Sequence, residues 1–301
     1  MLSGIVGSAF LGAPAVKAAD LSNLYKAPAL TSSGPAVDGF NEKFDAFGGS
    51  IANMTVYGTE GSLAIPLQAQ FGAQIDGRVG SLGGDTFGSG GAHLFWRNPA
   101  EGLLGIYADT TEWERFGGVN VTRAAGEGAY YWGSVTLEGI AGVEAGNSVS
   151  NVTSVLGPGG VTTNSFAQGF DVKTRFFDQV KLQYYVNENL SAYVGQDYLG
   201  GKDALALGAE VAYPLGHGIM SSAFVEARLG DGDFHGVWGG LKFYFGQKDK
   251  SLMARQRQDD PPVWSADSVF SILNNGTSGS STTSNCPAGE FPVDGTCETP
   301  D

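Results

Sequence analysis

Long segments of apolar/polar alternation constrain this chain more than any other feature. In a strand, successive side chains point to opposite faces. From Leu63 the odd positions Leu63, Ile65, Leu67, Ala69, Phe71, Ala73 and Ile75 are apolar, while the even positions include Gln68, Gln70, Gln74 and Asp76, followed by Arg78. The same pattern returns at 133–146, 203–213 and 219–229. Soluble strands usually run about five or six residues, whereas a tilted strand that crosses a bilayer needs about ten. Outside the extreme N-terminus no apolar run reaches the roughly 18 residues of a membrane helix. Only helices and closed barrels satisfy their backbone groups inside lipid, so membrane residence for this chain means a barrel.

Composition supports that direction. Charged residues make up only 16% and glycine reaches 47 residues, against about a quarter charged and about 7% Gly in an average soluble domain. Aromatics gather near segment ends, at Tyr57, Trp96, Tyr130, Tyr131, Trp132, Tyr184, Tyr185, Tyr213 and Tyr244, where interfacial girdles sit. A soluble extracellular β-protein also alternates, and segment length and aromatic placement separate the two readings. A net charge of -14 argues against a nucleic-acid partner, because phosphate binding needs clustered Lys and Arg.

Eleven segments are readable, at 44–57, 62–78, 87–97, 102–112, 119–131, 133–146, 176–186, 189–199, 203–213, 219–229 and 234–245. Single-chain bacterial barrels have even strand numbers. Either the stretch 163–175 hides a further strand, giving twelve, or 44–57 does not span, giving ten. Twelve is the expectation, in a closed antiparallel up-and-down transmembrane β-barrel over residues 44–246. Residues 1–18 read as a signal peptide cleaved after Ala18, although the basic region that normally precedes the apolar stretch is missing. Residues 19–43 read as a leader. Residues 247–301 shift to charged, Pro-containing and then Ser/Thr/Gly-rich sequence, the composition of a mostly disordered periplasmic linker. Within it Ser265–Leu273 offers two helical turns at most. Cys286 and Cys297 lie ten residues apart in a Pro/Gly-rich stretch, which in an oxidising compartment is expected to close as a small disulfide loop.

The last alternating segment reads FHGVWGGLKFYFG. Gly240, Phe243 and Phe245 in it resemble the closing-strand signal by which outer-membrane barrels are recognised, although Gly239 takes a position where that signal carries a polar residue. On this segment and its composition, the chain resembles porin-like and surface-antigen outer-membrane barrel proteins of alphaproteobacteria. The resemblance implies the bacterial outer membrane as location, and lipid and the barrel-assembly machinery as partners. It implies no transported substrate.

Catalytic chemistry finds little support. The three histidines, His93, His217 and His235, form no Ser/His/Asp set, and Asp231-Gly-Asp233 lacks the remaining oxygen spacing of a calcium loop. No enzyme activity, cofactor or metal is expected. By alternation the lumen face carries Gln68, Gln70, Gln74, Asp76, Arg78, His93, Arg97, Arg123, Glu127, Glu138, Glu144, Lys181, Gln183, Glu210, Glu226, Arg228 and Lys242. These residues line a narrow passive passage for small solutes or ions, or they pair and fill the interior of a structural, surface-exposed barrel. Ten to twelve strands lie between filled eight-stranded barrels and open sixteen-stranded ones, so both readings stand at this point. The tail is placed in the periplasm, where it can touch peptidoglycan or a periplasmic partner.

Overall fold

The computed structural model describes residues 34–156, 162–282, 291–293 and 296–298. The signal peptide, the leader up to residue 33 and Cys286 lie outside the described residues. The first seven strands are β1 (Asn41–Ile51), β2 (Met54–Gln68), β3 (Phe71–Leu82), β4 (Asp85–Asn98), β5 (Gly102–Trp113), β6 (Val119–Trp132) and β7 (Val135–Gly146). A hairpin, β8 (Ser148–Leu156) and β9 (Thr162–Asp171), interrupts the series. Then follow β10 (Arg175–Asn187), β11 (Leu190–Leu199), β12 (Lys202–Gly216), β13 (Ile219–Gly230) and β14 (His235–Phe245). All but β8 and β9 form a closed antiparallel barrel of twelve strands, with β7 pairing β10 directly and β14 pairing β1.

Alternation decides which way each side chain faces. Along β1, Asn41, Lys43, Asp45 and Phe47 are buried while Glu42, Phe44 and Ala46 are exposed. Outward positions around the barrel are apolar, among them Ile75, Ile106, Leu137, Val180, Leu205, Val225 and Leu241, all exposed. Tyr130, Trp132, Tyr184, Tyr213, Phe243 and Phe245 form an exposed aromatic girdle toward one rim, with Trp132 at 74% exposure. A soluble protein rarely exposes a contiguous apolar patch beyond a few hundred Å², and this belt runs around every face. It sits in lipid, which overturns the soluble extracellular reading. No helix among the described residues is long and apolar enough to cross a membrane; the strands do so. The chain is an integral barrel of the bacterial outer membrane.

The twelfth strand comes from the start of the barrel. Segment 44–57 contains a turn at Ala52–Asn53, both with left-handed φ (50° and 62°), so it divides between β1 and β2. The stretch 163–175 does hold a strand, β9, but in a separate sheet outside the barrel wall. At one mouth every connection is a short turn, and both β1 and β14 have their free ends there. The other mouth carries the 147–174 excursion with its β8–β9 hairpin. Short periplasmic turns and longer outer connections are the usual asymmetry, so the short-turn mouth with the aromatic girdle is periplasmic.

After β14 the chain turns back into the barrel. Helix α1 (Leu252–Gln258), an irregular stretch, a 3-10 turn (Trp264–Asp267) and helix α2 (Ser268–Leu273) occupy the lumen, and β15 (Gly276–Thr282) then pairs with β9. A small hairpin of β16 (Phe291–Val293) and β17 (Thr296–Glu298) follows. The periplasmic linker expected over 247–301 is thus corrected for residues 252–275, which are ordered inside the barrel. Their apolar and charged side chains find partners on the lumen wall that sequence separation had concealed.

Where the barrel closes, β1 and β14 approach tightly. A Cβ at Gly240 would run into the Ala46 carbonyl oxygen and the Phe47 backbone, so this seam admits no side chain there. Crowding of that kind costs about 1–3 kcal/mol. Gly240→Ala is therefore expected to lose most of the heat-modifiable, compact species on a denaturing gel. Gly126→Ala, whose nearest neighbour would be the Gly105 carbonyl oxygen at 4.0 Å, should retain it.

Candidate functional site: the barrel lumen

The lumen segment is held at successive depths. Ser251 caps α1, its hydroxyl accepting from Ala254 N at 3.3 Å. At the periplasmic mouth, Arg257 donates to the carbonyls of Gly133 (2.9 Å) and Val135 (2.8 Å), between the rings of Tyr131 and Tyr185. Arg255 donates to the Gly218 carbonyl, and Met253 N to Glu188 O at 3.0 Å. At the same mouth, Lys250 bridges Asp38 (3.3 Å) and buried Asp259 (2.6 Å), and Lys248 reaches Asp38 at 3.0 Å. Burial pushes the Asp38 carboxyl up, but these two ammonium groups outweigh it and hold it below the usual carboxylate value.

The prolines at 261 and 262 end any helix here, because they lack an N–H and fix φ. Carbonyls from the end of α1, the proline stretch and the 3-10 turn face the wall, and the wall supplies donors. Arg97 donates to Gln258 O, Lys43 and Gln74 to Pro261 O (both 3.4 Å), Arg123 to Trp264 O (2.8 Å) and Arg78 to Ala266 O (2.6 Å). Deeper still, Asp267 meets Arg228 at 2.7 Å, accepts from Gln179 at 2.9 Å and lies 3.8 Å from Lys181.

Helix α2 completes the plug. Val269, Phe270, Ile272 and Leu273 are buried against inward-facing Trp113, Val119, Phe177, Leu199, Phe234 and Trp238. The Phe270 ring lies 4.8 Å from that of Phe234. Full burial of one such side chain stabilises by about 1.5–3 kcal/mol, comparable to the roughly 1–2 kcal/mol of backbone entropy lost per ordered residue. Ser268 pairs with Thr111 and Ser271 with Glu144, and Asn274 donates to Leu199 O at 2.8 Å near the outer mouth. Arg175 binds Asn275 at 2.7 Å, and β15 then joins β9 beyond the wall.

Most residues assigned to the lumen from alternation point into it. Gln74, Asp76, Arg78, His93, Arg97, Arg123, Glu127, Glu144, Lys181 and Arg228 are buried there. His93 lies between Asp76 (3.2 Å) and Glu127 (2.9 Å), and Glu127 also accepts from Trp264 Nε1 at 2.9 Å. Arg123 pairs with Asp109 at 2.7 Å, and Arg228 with Asp197 at 2.6 Å. Glu138, Gln183, Glu210, Glu226 and Lys242 surround a cavity of about 130 Å³ beside the plug, with Lys242 3.8 Å from Glu210.

Two assignments are corrected. A bulge between Pro66 and Gln68 shifts the register, so Gln68 opposes outward-facing Phe71 and is exposed. Gln70 sits in the following turn, at the periplasmic rim, and accepts from Trp96 Nε1 at 3.0 Å. Three residues of the expected girdle, Tyr131, Tyr185 and Tyr244, are buried inward instead. Asp45, Glu60, Asp109, Gln179, Tyr193 and Asp197 belong to the lumen and were missed. They follow the same alternation; Asp45 was hidden by the undivided first segment, and Glu60 lay in the gap between the first two segments. Phe243 and Phe245 face lipid.

No family model matches the chain, and no curated protein sequence does. Similar solved structures are outer-membrane barrels. An outer membrane channel from Pseudomonas putida F1 is 10% identical, with TM-score 0.45 over 69% of this chain and 95% of that one. The translocator domain of the autotransporter NalP from Neisseria meningitidis is 14% identical, with TM-score 0.41 over 69% and 88%. The outer membrane protein Omp33 from Acinetobacter baumannii is 10% identical, with TM-score 0.36 over 69% and 97%. None of these three comes from an alphaproteobacterium.

Breaking a buried pair by removing one partner costs about 3–5 kcal/mol. Asp267→Ala should therefore loosen the plug while the barrel stays folded and heat-modifiable. Trypsin is expected to cut after Arg255 and Arg257 in the folded variant and to spare both sites in the unaltered protein. Equal protection in the two would show that Asp267 does not hold the segment.

Proposed function

We propose that this protein is a closed-lumen, non-catalytic outer-membrane barrel with a structural and surface role, not an open porin. One observation carries the reading: its own chain fills the lumen from mouth to mouth, bonded to the wall at every depth. Arg78, Arg97 and Arg123 are the kind of inward cations that set ion preference in an open channel, and here each is bound to a plug carbonyl. Its partners are outer-membrane lipid and the barrel-assembly machinery. Gly240, Phe243 and Phe245 serve as the recognition signal for that machinery, with the two phenylalanines presented on the lipid side. Contact with peptidoglycan through residues 252–275 is disfavoured, since that segment is engaged in the barrel.

A second reading, a narrow passage for ions or small solutes, draws on the charged cavity beside the plug. Its roughly 130 Å³, between Lys43, Lys181 and Lys242 on one side of the charge balance and Asp45, Glu60 and Glu226 on the other, is polar and large enough to hold water. Planar-bilayer recording separates the two. The folded protein is expected to be silent, and a variant lacking residues 251–301, shown to fold by heat-modifiability, should open steadily. Steady openings of the unaltered protein, with ion preference changed by Lys242→Ala, would overturn the closed-lumen reading in favour of the passage.

A further inference from the structure

The path of the C-terminal chain has a direction. It leaves β14 at the periplasmic mouth, where α1 bonds to the turns at Gly133, Glu188 and Gly218. It passes Arg123 and Arg228 in mid-barrel and reaches the Leu199 carbonyl and Arg175 at the opposite mouth. There Asp171 N donates to Asn275 O at 3.0 Å, and β15 pairs residue by residue with β9 from Gly276↔Phe170 to Thr282↔Asn164. The sheet β15-β9-β8 thus joins a C-terminal strand to the one long excursion of the barrel.

From this we infer that the barrel carries its own C-terminal segment to the cell surface. The strand Gly276–Thr282 stands outside the outer membrane, not in the periplasm. The inference rests on the threaded lumen and adds a function to closure: the barrel is the carrier and the C-terminal segment is what it displays. The composition of the emerging part fits water on both sides. GTSGSST contains no charged or large apolar side chain, and β8 is largely Ser, Thr, Asn and Val. Backbone pairing to β9 holds it at the outer mouth without an apolar interface.

Single-cysteine labelling on intact cells tests this in the full-length protein with Cys286 and Cys297 changed to Ser. Gly279→Cys is exposed, and its Cβ would meet nothing within 4 Å. Glu114→Cys reports the outer turns and Ala100→Cys the periplasmic ones, both exposed. With heat-modifiability confirmed, a membrane-impermeant maleimide is expected to label positions 279 and 114 on intact cells, and position 100 only once the outer membrane is permeabilised. If position 279 behaves like position 100, the display is wrong, and if 114 does so the orientation is wrong and the display falls with it. Conductance fails separately: an open lumen with position 279 labelled on intact cells refutes closure and leaves the display standing.

Discussion

Irregular backbone inside a membrane barrel must have its polar groups satisfied by the wall, and here inward-facing arginines do this. Between α1 and α2 the chain has no regular hydrogen-bonding pattern of its own except the short 3-10 turn Trp264–Asp267. An unpaired buried carbonyl costs free energy comparable to a lost hydrogen bond, and an unpaired buried guanidinium costs more. Arg78, Arg97 and Arg123 each place a donor on a plug carbonyl, which answers both requirements with one contact. The exchange runs the other way at the periplasmic mouth, where Arg255 and Arg257 of the plug satisfy carbonyls of the barrel turns. Without the plug Arg123 would keep only its wall partner Asp109, and the guanidinium donors that now meet plug carbonyls would need water.

The lumen is accordingly divided by depth. Its periplasmic half and middle carry paired charges that bind backbone and Asp267, while toward the outer mouth inward positions turn apolar and receive α2. A water-filled channel has little use for inward Trp113, Phe177 and Trp238. They become intelligible as the socket for Phe270 and its neighbours. The outer surface obeys one rule throughout, apolar toward lipid, because every strand keeps its two-residue period across the belt. The 12-strand closure and the plug are therefore separate achievements of the same chain, joined by the arginines that face inward.

Much of the barrel was legible from the residues. The period-two pattern places Ile75, Leu137 and Leu241 outward and Gln74, Arg78, Arg123 and Arg228 inward, and positional parity is a local property. Turns were harder. Ala52–Asn53 carries no Gly or Pro, so β1 and β2 read as one segment until the backbone showed two left-handed residues in succession. The bulge before Gln68 likewise reversed a face that parity alone had assigned. The plug was invisible for a different reason. Its composition, with two consecutive prolines, six short helical residues and scattered charge, is that of a linker, and what orders it is a set of hydrogen bonds to barrel residues from 37 to 218 positions away. One signal was present: inward positions such as Val119, Phe177 and Leu199 are apolar, and a lumen lined that way needs something apolar to cover it, which SVFSIL provides.

The central claim, that the chain after β14 threads the barrel, is tested most directly by a cross-link across the lumen. The Thr111 and Ser268 hydroxyls touch, one on β5 and the other at the start of α2. With both changed to Cys and the two native cysteines replaced by Ser, mild oxidation should join them, and mass spectrometry should recover the disulfide-linked peptides from the folded barrel. Recovery of both cysteines unlinked, with position 268 open to a thiol reagent supplied from the periplasm, would contradict the threaded path.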